Sequence, residues 1–81
     1  MKKFPCPCCG YHTYPVPADH DCGFICPVCF WENDPFLSSD SEPSDSNHGM
    51  TLQEAKNNYQ QYGACRERFL AYVRKPKEDE T

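Results

Sequence analysis

Two short cysteine motifs constrain the fold of this chain more than any other feature. They are Cys6-Pro7-Cys8-Cys9-Gly10 and Cys26-Pro27-Val28-Cys29. With sixteen residues between Cys9 and Cys26, the pattern is two CxxC pairs at the ligand spacing of a four-thiolate zinc site. A proline after the first cysteine of each pair and a glycine after Cys9 favour tight turns, or knuckles. The sequence therefore predicts one metal site, held by Cys6, Cys9, Cys26 and Cys29.

Two metals suit this ligand set. Zinc is favoured because it accepts any tetrahedral cage of thiolates and is widely available. Iron in a rubredoxin-like site uses the same four ligands, so the sequence leaves both metals open. With either metal, the sequence predicts a zinc-ribbon or rubredoxin-like β-hairpin that carries the two knuckles.

The chain is too small and too polar to be stabilised by a large apolar core. It has 81 residues, of which 38% are hydrophobic and eight are proline. Domains of about this size usually need an additional constraint. Structural zinc provides one, with binding free energies of about 10–16 kcal/mol in small zinc peptides. We expect much of the folding free energy to come from the metal.

Cysteine usage and the N-terminus indicate a cytoplasmic protein. The chain has seven cysteines, and an odd number cannot all pair in disulfides within one chain. The first residues, 1–6, lack the apolar stretch of a secretory signal. No apolar run approaches the roughly 20 residues of a membrane span. The thiols are therefore expected to be reduced, and no membrane association is expected.

The remaining cysteines and histidines are weaker candidates. Cys8 is adjacent to Cys9 and is expected to be directed away from the metal; the alternatives are that it replaces Cys6 or Cys9 as a ligand in a shifted register, or that it is a reactive thiolate. A second metal or redox site can be drawn from Cys8, His12, His20 and Cys22, although their spacings are unusual for zinc. Cys65 is expected to be a small buried hydrophobe, and His48 a solvated or capping-region residue in the loop before the first helix.

The chain reads as a single domain of the small α+β class. A ribbon over about 4–34 contains short strands at 11–14 and 21–25, which pair as a hairpin, and a third at 30–32. An acidic, serine-rich stretch over about 35–49 predicts a flexible, solvated loop without packed side chains.

The C-terminal part predicts one or two helices over about 51–75. Thr51 and Glu54 form a capping box, and Gly63 supplies a stop, so the first helix should span 52–62. A second short helix, with Cys65 on its apolar face, should end before Pro76. Residues 76–81 are expected to be a frayed, charged tail.

Charge and motif content narrow the possible classes of function. The formal net charge is −4, and residues 1–50 hold seven acids against two bases, which disfavours nucleic-acid binding. No catalytic triad, phosphate loop or HExxH motif is present, and a closed four-thiolate site has no open position for hydrolytic water. A non-enzymatic role with a protein partner is favoured over a thiol-redox or iron protein and over a nucleic-acid-binding ribbon.

Partly exposed aromatic residues would anchor the partner, and Tyr11, Tyr14 and Phe36 are the candidates.

Four ordered blocks of the chain carry a family resemblance. They are residues 6–11, 25–34, 51–64 and 73–76. Together they resemble the cysteine-rich CPCC family of small bacterial proteins. The resemblance implies a metal-binding domain and no particular reaction. The family usually reads Trp-Glu-Asp-Asp where this chain has Trp31-Glu32-Asn33-Asp34, and Cys22 falls outside the recurring motif, which argues against Cys22 as an obligatory ligand.

Overall fold

Two turns of matching geometry dominate the N-terminal half of the protein. The computed structural model describes residues 3–21 and 23–81. In the first turn the Gly10 amide donates to the Cys6 carbonyl at 2.8 Å, and the Cys6 amide donates to the Tyr11 carbonyl at 2.9 Å. In the second turn the equivalent bonds run from Phe30 to Cys26 at 2.8 Å and from Cys26 to Trp31 at 3.0 Å. The two knuckles are therefore local repeats of one backbone structure, displaced by twenty residues in sequence.

Strand pairing occurs across each knuckle separately. One antiparallel bridge joins Phe4 to Tyr14 and another joins Ile25 to Glu32. The predicted hairpin between 11–14 and 21–25 is wrong, because the Tyr14 amide and carbonyl both bond to Phe4, at 3.0 and 2.8 Å. A CxxC turn already reverses the chain, so the residues on its two sides become neighbours first. A short 3₁₀ segment, Ala18–His20, lies between the two knuckles.

The acidic, serine-rich segment is folded at its C-terminal end. Strand β1 (Pro43–Ser44) pairs antiparallel with strand β2 (Met50–Thr51), and a 3₁₀ segment, Asp45–Asn47, connects them. Asn47 is buried; its side chain accepts from the Glu32 amide at 3.0 Å and donates to the Glu32 carbonyl at 2.8 Å. The expectation that nothing in 35–49 packs is therefore wrong. Polar side chains are buried here because their hydrogen bonds are made.

Helix α1 spans Leu52–Tyr62, as the sequence predicts. The Thr51 hydroxyl accepts from the Glu54 amide, and the Glu54 carboxylate accepts from the Thr51 amide, both at 3.0 Å. At the other end Gly63 takes a left-handed conformation, with φ 94°, and its amide donates to the Tyr59 carbonyl at 2.9 Å. The helix packs its buried face, which contains Leu52, against the core.

The C-terminal residues differ from the prediction. The second helix is a 3₁₀ segment, Glu67–Tyr72, and Cys65 lies before it rather than on it. Cys65 is buried, as expected, and its amide donates to the Cys29 carbonyl at 2.7 Å. The tail is not frayed: Glu78–Glu80 forms another 3₁₀ segment, and the Glu80 side chain is 1% exposed.

The core is built around sulfur and aromatic side chains. Trp31, Tyr14 and Val28 are its largest fully buried apolar residues, and they pack with cysteine thiols and with residues from β2 and α1. A two-stranded sheet and one α-helix make this a small α+β protein. None of the helices in the described part of the chain has the length and apolar character that crossing a bilayer requires.

Candidate metal centre

The two knuckles face each other and bring four thiols together. The sulfur atoms all lie within 4.8 Å of one another, and they belong to Cys6, Cys9, Cys26 and Cys29. We call this group the four-thiol cluster. Its closest contacts run between the knuckles: Cys6 Sγ lies 3.6 Å from Cys29 Sγ, and Cys9 Sγ lies 3.8 Å from Cys26 Sγ. The structure thus brings together the four residues that spacing alone nominated.

These distances fit a metal ion better than a disulfide. A tetrahedral ion with metal–sulfur bonds of about 2.3 Å holds its sulfurs about 3.8 Å apart. A disulfide requires a separation of about 2.05 Å, which neither cross-knuckle contact approaches. Three of the four thiols are buried and Cys9 is partly exposed. The donor set is soft, anionic when deprotonated, and closed, so it suits zinc or iron.

Hydrogen bonds among the thiols separate their pKa values. The contact with Cys29, followed by those with Cys6 and Cys9, lowers the pKa of Cys26 far below its usual range. The contact with Cys26 raises the pKa of Cys29 and also that of Cys9. Four sulfurs at this spacing therefore do not all ionise by themselves, because each thiolate opposes the next. A divalent cation held by these four residues would supply the charge that lets all four become thiolates.

Thr13 belongs to the surroundings of the cluster and was not singled out in the sequence. Its side chain is buried, and its Oγ1 lies 3.1 Å from Cys26 Sγ, within range to donate a hydrogen bond to a thiolate. Such outer contacts orient metal ligands and stabilise their charge. A threonine four residues after a CxxC pair gave no specific sequence signal, because its partner lies in the other knuckle.

Cys8 lies outside the four-thiol cluster. Its position in the first knuckle corresponds to that of Val28 in the second, and both side chains are buried, Cys8 with 7% exposure. The repeat therefore explains Cys8 as a core residue, since the equivalent position holds an aliphatic side chain. Burial raises the pKa of the other core thiol, Cys65, to about 12, so Cys65 is a neutral thiol at neutral pH.

The histidines do not join a metal cluster among the described residues. His12, His20 and His48 are exposed, and the metal-type grouping found in 3–21 and 23–81 consists of cysteines alone. The second site drawn from Cys8, His12, His20 and Cys22 includes one residue, Cys22, that lies outside the described residues. For His48, the expectation of a solvated residue is confirmed; it ends the Asp45–Asn47 segment with φ 59°.

The fold and the cluster define a small α+β protein with a potential metal site between two equivalent knuckles. The family model described as cysteine-rich CPCC matches residues 4–80. Because the match covers nearly the whole chain, the protein belongs to the cysteine-rich CPCC family. No curated protein and no solved structure matches the chain.

Proposed function

We propose that the protein binds one structural zinc ion through Cys6, Cys9, Cys26 and Cys29, in a zinc-ribbon or rubredoxin-like arrangement. The observation that supports this most strongly is the spacing of the four sulfurs, all within 4.8 Å of one another. Zinc is preferred over iron because zinc is widely available and, with its filled d shell, accepts any tetrahedral cage of thiolates. The site is closed by four protein ligands, so zinc has a structural rather than a hydrolytic role.

A matched pair of substitutions tests the ligand assignment. Cys9→Ser removes a ligand and should abolish tight binding, whereas Cys8→Ser changes the neighbouring thiol and should leave one ion per chain. Cobalt(II) is the probe, because its absorption spectrum distinguishes tetrahedral thiolate coordination. The reverse pattern, with Cys8 essential and Cys9 dispensable, would refute the assignment.

The proposed role is that of a cytoplasmic, non-enzymatic module that binds a protein partner. Several large apolar side chains are exposed on the described part of the molecule; Phe36 is 80% and Tyr72 is 68% exposed. Exposed aromatic residues of this kind are common anchors in protein interfaces. Of the three aromatic anchors suggested by the sequence, Phe36 is exposed and Tyr11 is partly exposed, so both are accessible. Tyr14 is not, because it is fully buried and donates to Asn33 at 3.3 Å.

Two of the exposed side chains lie beside the second knuckle. The Tyr72 ring stacks on Phe30 at a centroid distance of 5.6 Å, and the nearby Ile25 is 44% exposed. We place the partner-binding surface here, on Ile25, Phe30 and Tyr72. Affinity capture with the metal-loaded protein should retain a specific partner that Ile25→Asp loses and that Phe36→Ser keeps. Capture that is equal for all three proteins would exclude this surface.

A further inference from the structure

The C-terminal end of α1 borders a groove of about 310 Å³, which we call the helix-end groove. Apolar and aromatic side chains form most of its wall: Tyr59, Tyr62, Leu70, Val73 and Pro76. Tyr62 is 37% and Leu70 is 45% exposed, so the wall is accessible from solvent. An engineered protein cavity of about 150 Å³ holds a benzene molecule, and the helix-end groove therefore has room for an aromatic side chain.

The charged residues that line the helix-end groove, Arg74 and Lys75, are both cations. Arg74 is already paired, because it donates to both carboxylate oxygens of Glu80, at 2.8 and 2.9 Å. Lys75 is exposed, and none of the ion pairs within residues 3–21 and 23–81 includes it. The groove therefore suits a ligand that carries an apolar ring next to a carboxylate.

Phe36 presents such a group on another part of the same chain. It is 80% exposed, the highest value among the large hydrophobic residues that the structure describes. The Phe36 amide donates to Asp34 Oδ1 at 3.1 Å, and Leu37 packs against the core, so the ring is held at the surface. Asp45 borders the same shallow depression as Phe36, is exposed, and belongs to none of the ion pairs in the described part of the chain. Residues 34–46, which we call the Phe36 segment, contain four acids and no base.

The Phe36 segment and the helix-end groove lie toward opposite ends of α1. At the N-terminal end, the Asp40 carbonyl accepts from the Gln53 amide at 3.0 Å, and the Asp40 carboxylate pairs with Lys56 at 2.9 Å. At the other end, Gly63 follows the last residue of the helix and lines the groove. Lys56 and Gly63 are about two helical turns apart, so they lie on one side of α1. An eleven-residue helix is about 16 Å long, which separates the ring of Phe36 from the groove of its own molecule.

We propose that a second copy of this chain occupies the helix-end groove. Phe36 of each molecule inserts into the groove of the other, and Asp45 faces Lys75 across the contact. Because ring and groove lie toward opposite ends of α1, two copies with antiparallel helices exchange both contacts around a two-fold axis. One ring and a few charges on each side make a contact smaller than a standard protein interface, so the dimer is weak and reversible. This contact goes beyond the proposed function and uses neither the four-thiol cluster nor the surface proposed for the protein partner.

The test is sedimentation equilibrium of the full-length, zinc-loaded protein at increasing concentration, in a reducing buffer that excludes disulfide-linked dimers. We expect a reversible monomer–dimer equilibrium. Phe36→Ser should weaken the dimer about tenfold or more, since the ring provides the apolar contact. Val16→Ser is the matched control, because Val16 is 38% exposed and lines neither the groove nor the depression beside Phe36. A monomer at every concentration, which would leave the groove to a different protein, or equal dimerisation of wild type and Phe36→Ser, would overturn the proposal.

Charge reversal identifies the two sides of the contact. Asp45→Lys or Lys75→Glu alone places like charges opposite each other, so each should weaken the dimer about fivefold or more. An equimolar mixture of the two variants restores opposite charges at both contacts, and the mixed dimer should recover the wild-type affinity. Arg68→Glu is the matched control for Lys75→Glu, because it changes the net charge equally and Arg68 is exposed and outside the groove. Equal recovery when Arg68→Glu replaces Lys75→Glu in the mixture would show an effect of net charge and would contradict the pairing. Metal content and helical circular dichroism establish that each variant is folded.

Discussion

Gly10 and Phe30 occupy the same position in the two knuckles and share a left-handed backbone, with φ values of 82° and 70°. Each follows the second cysteine of its CxxC pair, and each amide closes its turn by donating at 2.8 Å. The turn requires this conformation, which glycine adopts freely and phenylalanine does not. At Phe30 the side chain compensates, because its ring packs against Phe69 at 4.8 Å and Tyr72 at 5.6 Å.

Gly10→Ala should therefore destabilise the protein through its backbone alone. A Cβ built at Gly10 meets no atom within 4 Å, so no steric clash contributes. We expect a loss of about 1 kcal/mol in unfolding free energy, the usual penalty for alanine in a left-handed conformation. Chemical denaturation of the zinc-loaded protein measures it. A neutral or stabilising effect would contradict the conformation assigned to this turn.

Phe30→Gly should lose more stability through the missing side chain than it gains through the relaxed backbone. The substitution relieves backbone strain of roughly 1 kcal/mol but removes a ring whose loss typically costs about 3–5 kcal/mol in a fully packed site. Because Phe30 is only partly buried, we expect a net destabilisation of about 1–2 kcal/mol. A more stable Phe30→Gly protein would show that the ring contacts with Phe69 and Tyr72 contribute little.

Glu80 fastens the C-terminus to the first knuckle. Arg74 donates to both of its carboxylate oxygens, at 2.8 and 2.9 Å, and the Glu80 carbonyl accepts from the His12 amide at 2.7 Å. The Arg74 hydrogen bonds lower the pKa of Glu80 to about 2, from an ordinary value of 4.5. A lowered pKa in the folded state means that the ionised carboxylate stabilises the protein above about pH 4.5. That contribution is lost as the pH falls from 4.5 toward 2.

At pH 7 Glu80→Gln should cost about 1.5–3 kcal/mol of unfolding free energy, the range for hydrogen bonds to charged groups. Glu78→Gln is the matched control, because Glu78 lies in the same segment and is exposed. The difference in unfolding free energy between wild type and Glu80→Gln should shrink below pH 4.5. Comparing the two proteins at each pH cancels the loss of zinc that acid itself causes. A difference that stays constant with pH would refute the ionised pair.

Removal of the metal should unfold more than the knuckles. Four thiols at the centre of the core cannot hold two short bridges together without an ion, and α1 has eleven residues, which is marginal for an isolated helix. We expect a strong chelator to abolish most of the helical circular dichroism, and added zinc to restore it. An unchanged spectrum in the metal-free protein would show that the core is stable by itself.

The sequence predicted what depends on local chemistry. The capping box and Gly63 determine both ends of α1 from residues a few positions apart, and the CxxC spacing identified all four thiols of the cluster. The strand pairing was missed because a knuckle pairs its own flanks, so Tyr14 bonds to Phe4 rather than to a residue near Phe24. Asn47 and Glu80 were missed because their burial depends on partners in other segments, which an apolar pattern does not reveal. Asn47 bonds to Glu32, and Glu80 pairs with both Lys3 and Arg74.

The charge of the protein predicts that it does not bind nucleic acid. Loss of four thiol protons and gain of a divalent ion would move the formal charge from −4 to about −6. Non-specific binding requires several cations that neutralise phosphates, and here Arg74 and Lys56 are paired with acids. Titration with mixed oligonucleotides at about 0.15 M salt should show no appreciable affinity. Micromolar, salt-dependent binding would contradict this reading of the surface.

The metal content of the protein as purified, without added metal, tests the central claim most directly. Elemental analysis against a protein concentration measured by amino-acid analysis gives the number of ions per chain. The four-thiol cluster predicts one zinc per chain, retained through gel filtration and lost in Cys9→Ser. Iron in place of zinc, two ions per chain, or a folded protein that contains none would contradict it.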